Sequence, residues 1–259
     1  MQKVCVLGYK NDLTVIMTIV EFYEKNIEFD VCFLLNKRKQ TFRYERFKGM
    51  KLCSSYFWVD YISQYLFNQS NKQKKLLFKY LPYLFNKKTI NSYEFSNLSE
   101  LNEFISSNNY CIGIIGGFPI LSKDFIQNLS FPLIGCHPAP LPNVRGEDHL
   151  VFTFYYNLKP SVSIYKLNDK IDGGVIFKVI TNDEIVFNDT FYSIRIKLEI
   201  QRAKELAIFV DEFLNNKKNL PIEVLKNTSK LHQYKDVNLK VRKQADKNLN
   251  LYLQTLHKS

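Results

Sequence analysis

At 259 residues, with 46% hydrophobic and 24% charged side chains, the chain can bury one sizeable core and is too ordinary in composition for intrinsic disorder. Its formal net charge is +11, but the lysines are spread along the chain, with concentrations at 37–39, 72–75 and 235–247. That reads as a solvated face rather than a nucleic-acid footprint. No charged n-region and apolar h-region open the sequence, and no apolar run approaches about 18–20 residues. A cytoplasmic protein without a membrane span is expected.

Residues 4–8 form a short buried-strand pattern, followed by a polar turn at 9–12 and an apolar helical stretch at 13–23. Residues 29–35 read as a second strand, so the opening is β-α-β and predicts a parallel sheet flanked by helices. A lone Gly8 is not a GxGxxG fingerprint, so no dinucleotide site of that kind is supported. Residues 37–88 turn aromatic, basic and mostly helical, with Tyr56, Phe57, Tyr61 and Tyr65, and read as an insertion whose aromatic stripe packs on a core. Leu98, Leu101, Phe104 and Ile105 then mark an amphipathic helix.

Further on, 111–115 is a strand running into Gly116 and Gly117, 122–129 a short helix with Ser122 as N-cap, and 132–136 another strand. Strands follow at 162–167 and 175–180, and 190–213 is the longest periodic helix. Beyond Lys217 the composition turns to Lys and Asn, so that 216–259 reads as a small basic C-terminal appendage to a domain over 1–215. Cys5, Cys32, Cys53, Cys111 and Cys136 are odd in number and contain no CxxC pair; they read as reduced thiols, and no metal site is expected.

Seven of the nine glycines and six of the eight prolines fall between Gly113 and Gly174. Glycine allows close backbone approach, proline fixes φ, and loops at the carboxyl ends of parallel strands are where ligands bind. In this segment Gly135-Cys136-His137-Pro138 runs from a strand into a proline-defined loop, which places His137 at a strand end. An imidazole there can act as base, acid or oxyanion donor near neutral pH. A second loop supplies Asp169 and Asp172. Arg145 either shapes its loop or meets an anionic ligand group, Asp169 either caps its loop or faces the site, and His149 falls in the next helix, where it could reach the cleft but a surface role is expected.

The segment His137-Pro138-Ala139-Pro140-Leu141-Pro142-Asn143-Val144-Arg145-Gly146 resembles the H-x-x-L-L-P-x-Y-R-G stretch of the folate-dependent formyltransferases. Asp169-Lys170-Ile171-Asp172-Gly173-Gly174 is similar to their D-x-G-x-D-[TA]-G loop, and Gly116-Gly117-Phe118-Pro119-Ile120-Leu121 to their G-F-x-x-I-L turn. The resemblance implies a Rossmann-like α/β core, with 10-formyltetrahydrofolate as formyl donor and a primary amine as acceptor. It implies that His137 and Asp172 are catalytic, that Gly117, Phe118, Pro119, Ile120, Asp169 and Gly173 contact the folate, and that Arg145 contacts substrate. One position departs: where the family carries Asn two residues before the histidine, this chain has Gly135. Losing one oxyanion donor costs about 10²- to 10³-fold in rate unless another group takes over.

Within that family, a core followed by a short tail and carrying an insertion is most similar to the sugar N-formyltransferases. The resemblance therefore implies a nucleotide-linked amino sugar as substrate, a role in polysaccharide biosynthesis and, by the frequency of such assemblies, a homodimer. Two alternatives stand beside it: a folate- or sugar-nucleotide-binding protein impaired in catalysis by Gly135, and a formyltransferase for another small amine.

Overall fold

The computed structural model describes residues 3–9, 12–35, 90–216, 231–233 and 236–257. The insertion expected at 37–88 lies outside the described residues. The apolar opening forms β1 (Lys3–Gly8), and Asp12 caps α1 (Leu13–Glu24) by accepting the Val15 N–H at 3.2 Å. Next come β2 (Phe29–Leu34), β3 (Asn91–Phe95), α2 (Leu98–Ser107), β4 (Tyr110–Ile115) and α3 (Lys123–Gln127), the last capped by the Ser122 hydroxyl. The chain continues through β5 (Leu133–His137), β6 (Arg145–Gly146), α4 (His149–Tyr155), β7 (Ser161–Lys166) and β8 (Val175–Thr181). Then α5 (Phe191–Asn215) starts at a Thr190–Ser193 capping box, before β9 (Leu231–His232) and α6 (Leu239–His257).

Seven strands make one sheet in the order β3-β2-β1-β4-β5-β7-β8. Strands β3 to β5 of that order run parallel, whereas β7 and β8 are antiparallel additions at one edge. The parallel part explains why β1 and β2 are continuous apolar runs: helices cover both their faces. One face packs on α1, α4, α5 and α6 through Val15, Ile19, Phe152, Phe154, Leu198 and Leu206; the other packs on α2 and α3 through Leu101, Ile105 and Phe125. Cys5 and Cys32 are fully buried free thiols in the second of these layers, and Cys53 lies outside the described residues.

The described part of 216–259 is not an appendage. Val241, Ala245, Leu249 and Leu253 of α6 belong to the same core as the sheet, and Asn248 Nδ2 donates to the carbonyls of Phe154 and Tyr155 at 2.7 and 3.3 Å. The basic residues that dominate the composition there occupy the outer positions of an amphipathic helix, and the apolar stripe beneath them is widely spaced. Strand β9 pairs in parallel with β6, setting Leu231 opposite Arg145 and His232 opposite Gly146.

Candidate active site

The strand order reverses direction between β1 and β4, the place in a doubly wound sheet where clefts open at the strand ends. A cleft of about 250 Å³ lies here, lined by residues 115–121, Ile126, Cys136, His137, Tyr165, residues 167–172 and Arg202. The floor is set by a contact between two chain segments. Asp12 Oδ1 accepts both the Val15 N–H at the start of α1 and the Gly117 N–H at 3.1 Å, and Tyr9 N–H donates to the Gly117 carbonyl. A Cβ at Gly117 would come within 2.0 Å of Asp12 Oδ2, so any side chain there would push the Asp12 carboxylate off this contact.

His137 ends β5 and is buried at 7% exposure. The following loop is held by Ser163 on β7, whose hydroxyl donates to the Ala139 carbonyl at 2.7 Å and accepts the Leu141 N–H at 2.9 Å. Nδ1 of His137 stands 3.5 Å from Asp172 Oδ2. Asp172 adopts a left-handed backbone with φ 45°, a conformation that costs an L residue about 1–2 kcal/mol. Both of its oxygens are held: Oδ2 accepts the Gly146 N–H at 2.9 Å, and Oδ1 accepts the Tyr165 hydroxyl at 2.8 Å.

A proton on Nδ1, the nitrogen beside the carboxylate, would leave a lone pair on Nε2. Nε2 is buried and has no hydrogen-bond partner among the described residues. Burial pushes the His137 pKa below its ordinary value; Asp172 and a hydrogen bond to the Val144 backbone oppose the shift, and Arg202 adds to it. His137 is therefore neutral at pH 7 and able to take a proton. The Cys136 thiol beside it is pushed up to about 12, chiefly by burial, which rules it out as a thiolate nucleophile at neutral pH.

Arg202 supports the site from α5. Its Nε donates to the Cys136 carbonyl at 2.6 Å and its Nη1 to Glu199 at 2.7 Å and to the Thr14 hydroxyl at 3.2 Å, while Thr14 donates to Glu199. Arg145 grips the second loop instead: Nε and Nη2 both donate to the Ile171 carbonyl, at 3.2 and 2.6 Å. Of its two expected roles, the contacts described are those of loop shaping. In that loop the local turn is made by Asn168, which accepts the Lys170 N–H and donates to the Gly173 carbonyl, and Asp169 is exposed on the cleft wall. His149 is not a surface residue: its Nε2 is buried and unpartnered among the described residues, and its ring centroid lies 5.5 Å from that of His137.

No protein-family model matches the sequence, and no curated protein does. Solved structures do match. An N-formyltransferase from Helicobacter canadensis, in complex with folinic acid and dTDP-3-aminofucose, is 14% identical with a TM-score of 0.56, over 98% of this chain and 82% of its own. A 4-N formyltransferase from Francisella tularensis is 14% identical with a TM-score of 0.54, over 94% and 86% of the two chains. Phosphoribosylglycinamide formyltransferase from Campylobacter jejuni is 19% identical with a TM-score of 0.51, over 82% and 97%. The chain has the formyltransferase fold.

On this formyltransferase fold the sequence blocks converge. Gly117, Phe118, Pro119, Ile120, His137, Asp169 and Asp172 all line the one cleft, with Arg145 and Gly173 behind the second loop, where Arg145 Nη2 would lie 2.9 Å from a Cβ at Gly173. Sequence reasoning missed Tyr165 and Arg202. Arg202 left a readable signal, because Ile194, Leu198, Arg202 and Leu206 follow at intervals of four along the buried stripe of α5. A cation on such a stripe needs a buried partner. Tyr165 left none, since only the register of β5 on β7 sets it opposite Gly135.

Proposed function

We propose that the protein transfers a formyl group from 10-formyltetrahydrofolate to the primary amine of a nucleotide-linked amino sugar. The reading is carried by the 3.5 Å approach of His137 Nδ1 to Asp172 Oδ2 in the cleft of a formyltransferase fold. The cleft walls suit a flat, partly apolar donor: Phe118, Ile126 and Leu167 line them, and Ile120 stands 72% exposed. Bound there, the donor would supply an electrophilic formyl carbon, whose transfer places negative charge on an oxygen and releases a proton from the amine.

The residues divide these tasks. Neutral His137 takes the proton at Nε2, and Asp172 fixes the tautomer through Nδ1 and stabilises the imidazolium that results. That proton would then pass from Nε2 to the folate nitrogen released as the formyl carbon–nitrogen bond breaks. Arg202 holds the Cys136 carbonyl and so the strand end that carries the imidazole. Preference for a sugar nucleotide over another amine is supported by the solved sugar N-formyltransferases, which this chain spans over most of their length, and by the +11 charge, which favours an anionic acceptor.

The test is direct. Purified protein incubated with 10-formyltetrahydrofolate and a panel of dTDP-, UDP-, GDP- and CMP-linked amino sugars yields a formamide product detected by mass spectrometry. Saturable folate binding with no formamide from any member of the panel, nor from small amines, would establish the second reading, ligand binding without turnover, which Gly135 favours. Absence of both binding and product defeats the formyltransferase reading itself.

A further inference from the structure

The place where an amide side chain would sit at position 135 is occupied from the neighbouring strand. Gly135 and Tyr165 are direct partners across the antiparallel pair β5–β7, and alternation puts Gly135, His137 and Tyr165 on one face of the sheet. A Cβ at Gly135 would stand 3.0 Å from Leu167 Cδ1 and 3.1 and 3.2 Å from Cε1 and Cζ of the Tyr165 ring. Nothing larger than hydrogen is comfortable there while the ring holds its position. The ring ends in a hydroxyl that donates to Asp172 Oδ1 at 2.8 Å, and Tyr165 lines the cleft.

We infer that Tyr165 is the third polar member of this site, a positioning residue that acts on His137 through Asp172 and takes over the place vacated at Gly135. The inference rests on the formyl-transfer reading for its catalytic consequence, but its geometry stands without it. Asp172 sits on an unfavourable left-handed backbone, and two donors hold its carboxylate in place. Gly146 N–H holds Oδ2 and Tyr165 holds Oδ1, and Oδ2 so held lies 3.5 Å from Nδ1 of His137. Burial and the adjacent Asp172 charge push the Tyr165 pKa well up, so the phenol stays protonated and remains a donor throughout the working pH range.

The charges that face His137 are Asp172 from the loop after β7, Glu199 and Arg202 from α5, and the neighbouring imidazole of His149 from α4. Of these, only Asp172 accepts a hydrogen bond from Tyr165. Removing the hydroxyl therefore reaches His137 through its hydrogen bond to Asp172.

The experiment is Tyr165→Phe, which keeps the ring over Gly135 and deletes one oxygen. Two readouts are taken on the full chain: steady-state kinetics with affinity for tetrahydrofolate, and the titration midpoint of the His137 imidazole by NMR. Losing a hydrogen-bonded partner of this kind costs about 10- to 100-fold, expected here in kcat with folate affinity unchanged. The His137 midpoint is expected to move up, because a carboxylate relieved of one donor holds the imidazolium more strongly. An unchanged midpoint, or a fall in folate affinity that accounts for the whole loss of rate, overturns the assignment of Tyr165. A wild-type protein that neither binds tetrahydrofolate nor forms formamide removes the functional reading alone, and the NMR comparison then still decides the role of Tyr165.

Discussion

Gly146 and His137 meet on one carboxylate: Oδ2 of Asp172 accepts the Gly146 N–H at 2.9 Å and lies 3.5 Å from Nδ1 of His137. The acid therefore cannot rotate away from the imidazole without giving up a backbone hydrogen bond. Asp172→Asn keeps one acceptor oxygen but removes the charge that stabilises the imidazolium, and His137→Asn removes the base. Each variant is expected to lose about 10²- to 10⁴-fold in kcat and to keep its affinity for tetrahydrofolate. Residues that act as a unit are not additive, so the double variant should be scarcely slower than either single one. Wild-type turnover in both single variants removes them from the mechanism.

Two neighbouring histidines, buried His137 and partly buried His149, make the fold sensitive to acid. Burial lowers the pKa of His137 and, more strongly, that of His149, whose neighbours His137, Arg195 and Arg202 add to the effect. A histidine with a depressed folded-state pKa binds fewer protons folded than unfolded in the window between that pKa and about 6.5. Its contribution to stability is complete above pH 6.5 and is lost as the pH falls through the folded-state value. The melting temperature should thus decline as the pH is lowered from 7.5 to 5.5, and His149→Asn should flatten that decline. A variant whose melting temperature follows the wild-type slope would show that His149 is not the sensor. In kinetics, the acid limb of kcat/KM assigned to His137 is expected below pH 6.5.

The parallel core and the loops were legible because their signals are local. Strands buried on both faces read as apolar runs, the cap at Ser122 stands immediately before its helix, and proline and glycine cluster where the cleft forms. Contacts that depend on register or on distant segments were not. The hydroxyl above Gly135 comes from a residue thirty positions on in another strand, and the support for Gly146 comes from His232 near the C-terminus. His149 was misread because its flanking residues Glu147 and Asp148 are polar, although the helix they open turns five successive residues into the core.

A test of the cleft floor follows from Asp12, which bonds α1 and the Gly117 turn with one oxygen. Gly117→Ala drives a methyl group onto that carboxylate and should destabilise the protein by about 1–2 kcal/mol, the range for losing a cap, while weakening tetrahydrofolate binding through displacement of residues 117–120. Asp12→Ala should cost a similar amount alone. In the double variant the methyl group has room, so the two losses should fall short of their sum in urea denaturation; full additivity would mean that the two residues do not share a contact.

Arg202 and Glu199 are both largely buried, with side chains 14% and 18% exposed, and each satisfies the other. Arg202→Met leaves Glu199 without its cation and the Cys136 carbonyl without a donor, and should cost about 3–5 kcal/mol. Adding Glu199→Leu removes the stranded charge, so the double variant should be more stable than Arg202→Met. If it is less stable, Glu199 has a partner other than Arg202 that matters more.

The C-terminal helix is expected to be inseparable from the site. Asn248 ties α6 to the last carbonyls of α4, and His232 on β9 accepts the Glu147 N–H at 3.0 Å beside the Gly146 that holds Asp172. Asn248→Ala removes both of these bonds while the Phe154 carbonyl keeps the Asn157 N–H, and should lower stability by about 0.5–1.5 kcal/mol, measured by urea unfolding, with kcat unchanged below the new melting temperature because the helix acts on the fold and not on the chemistry. Deleting residues 231–259 removes core side chains at Val241, Ala245, Leu249 and Leu253 along with the β9 support for Gly146. The shortened chain should fail to fold; a cooperative, active product would show instead that the helix is dispensable and that β6 holds Gly146 without β9.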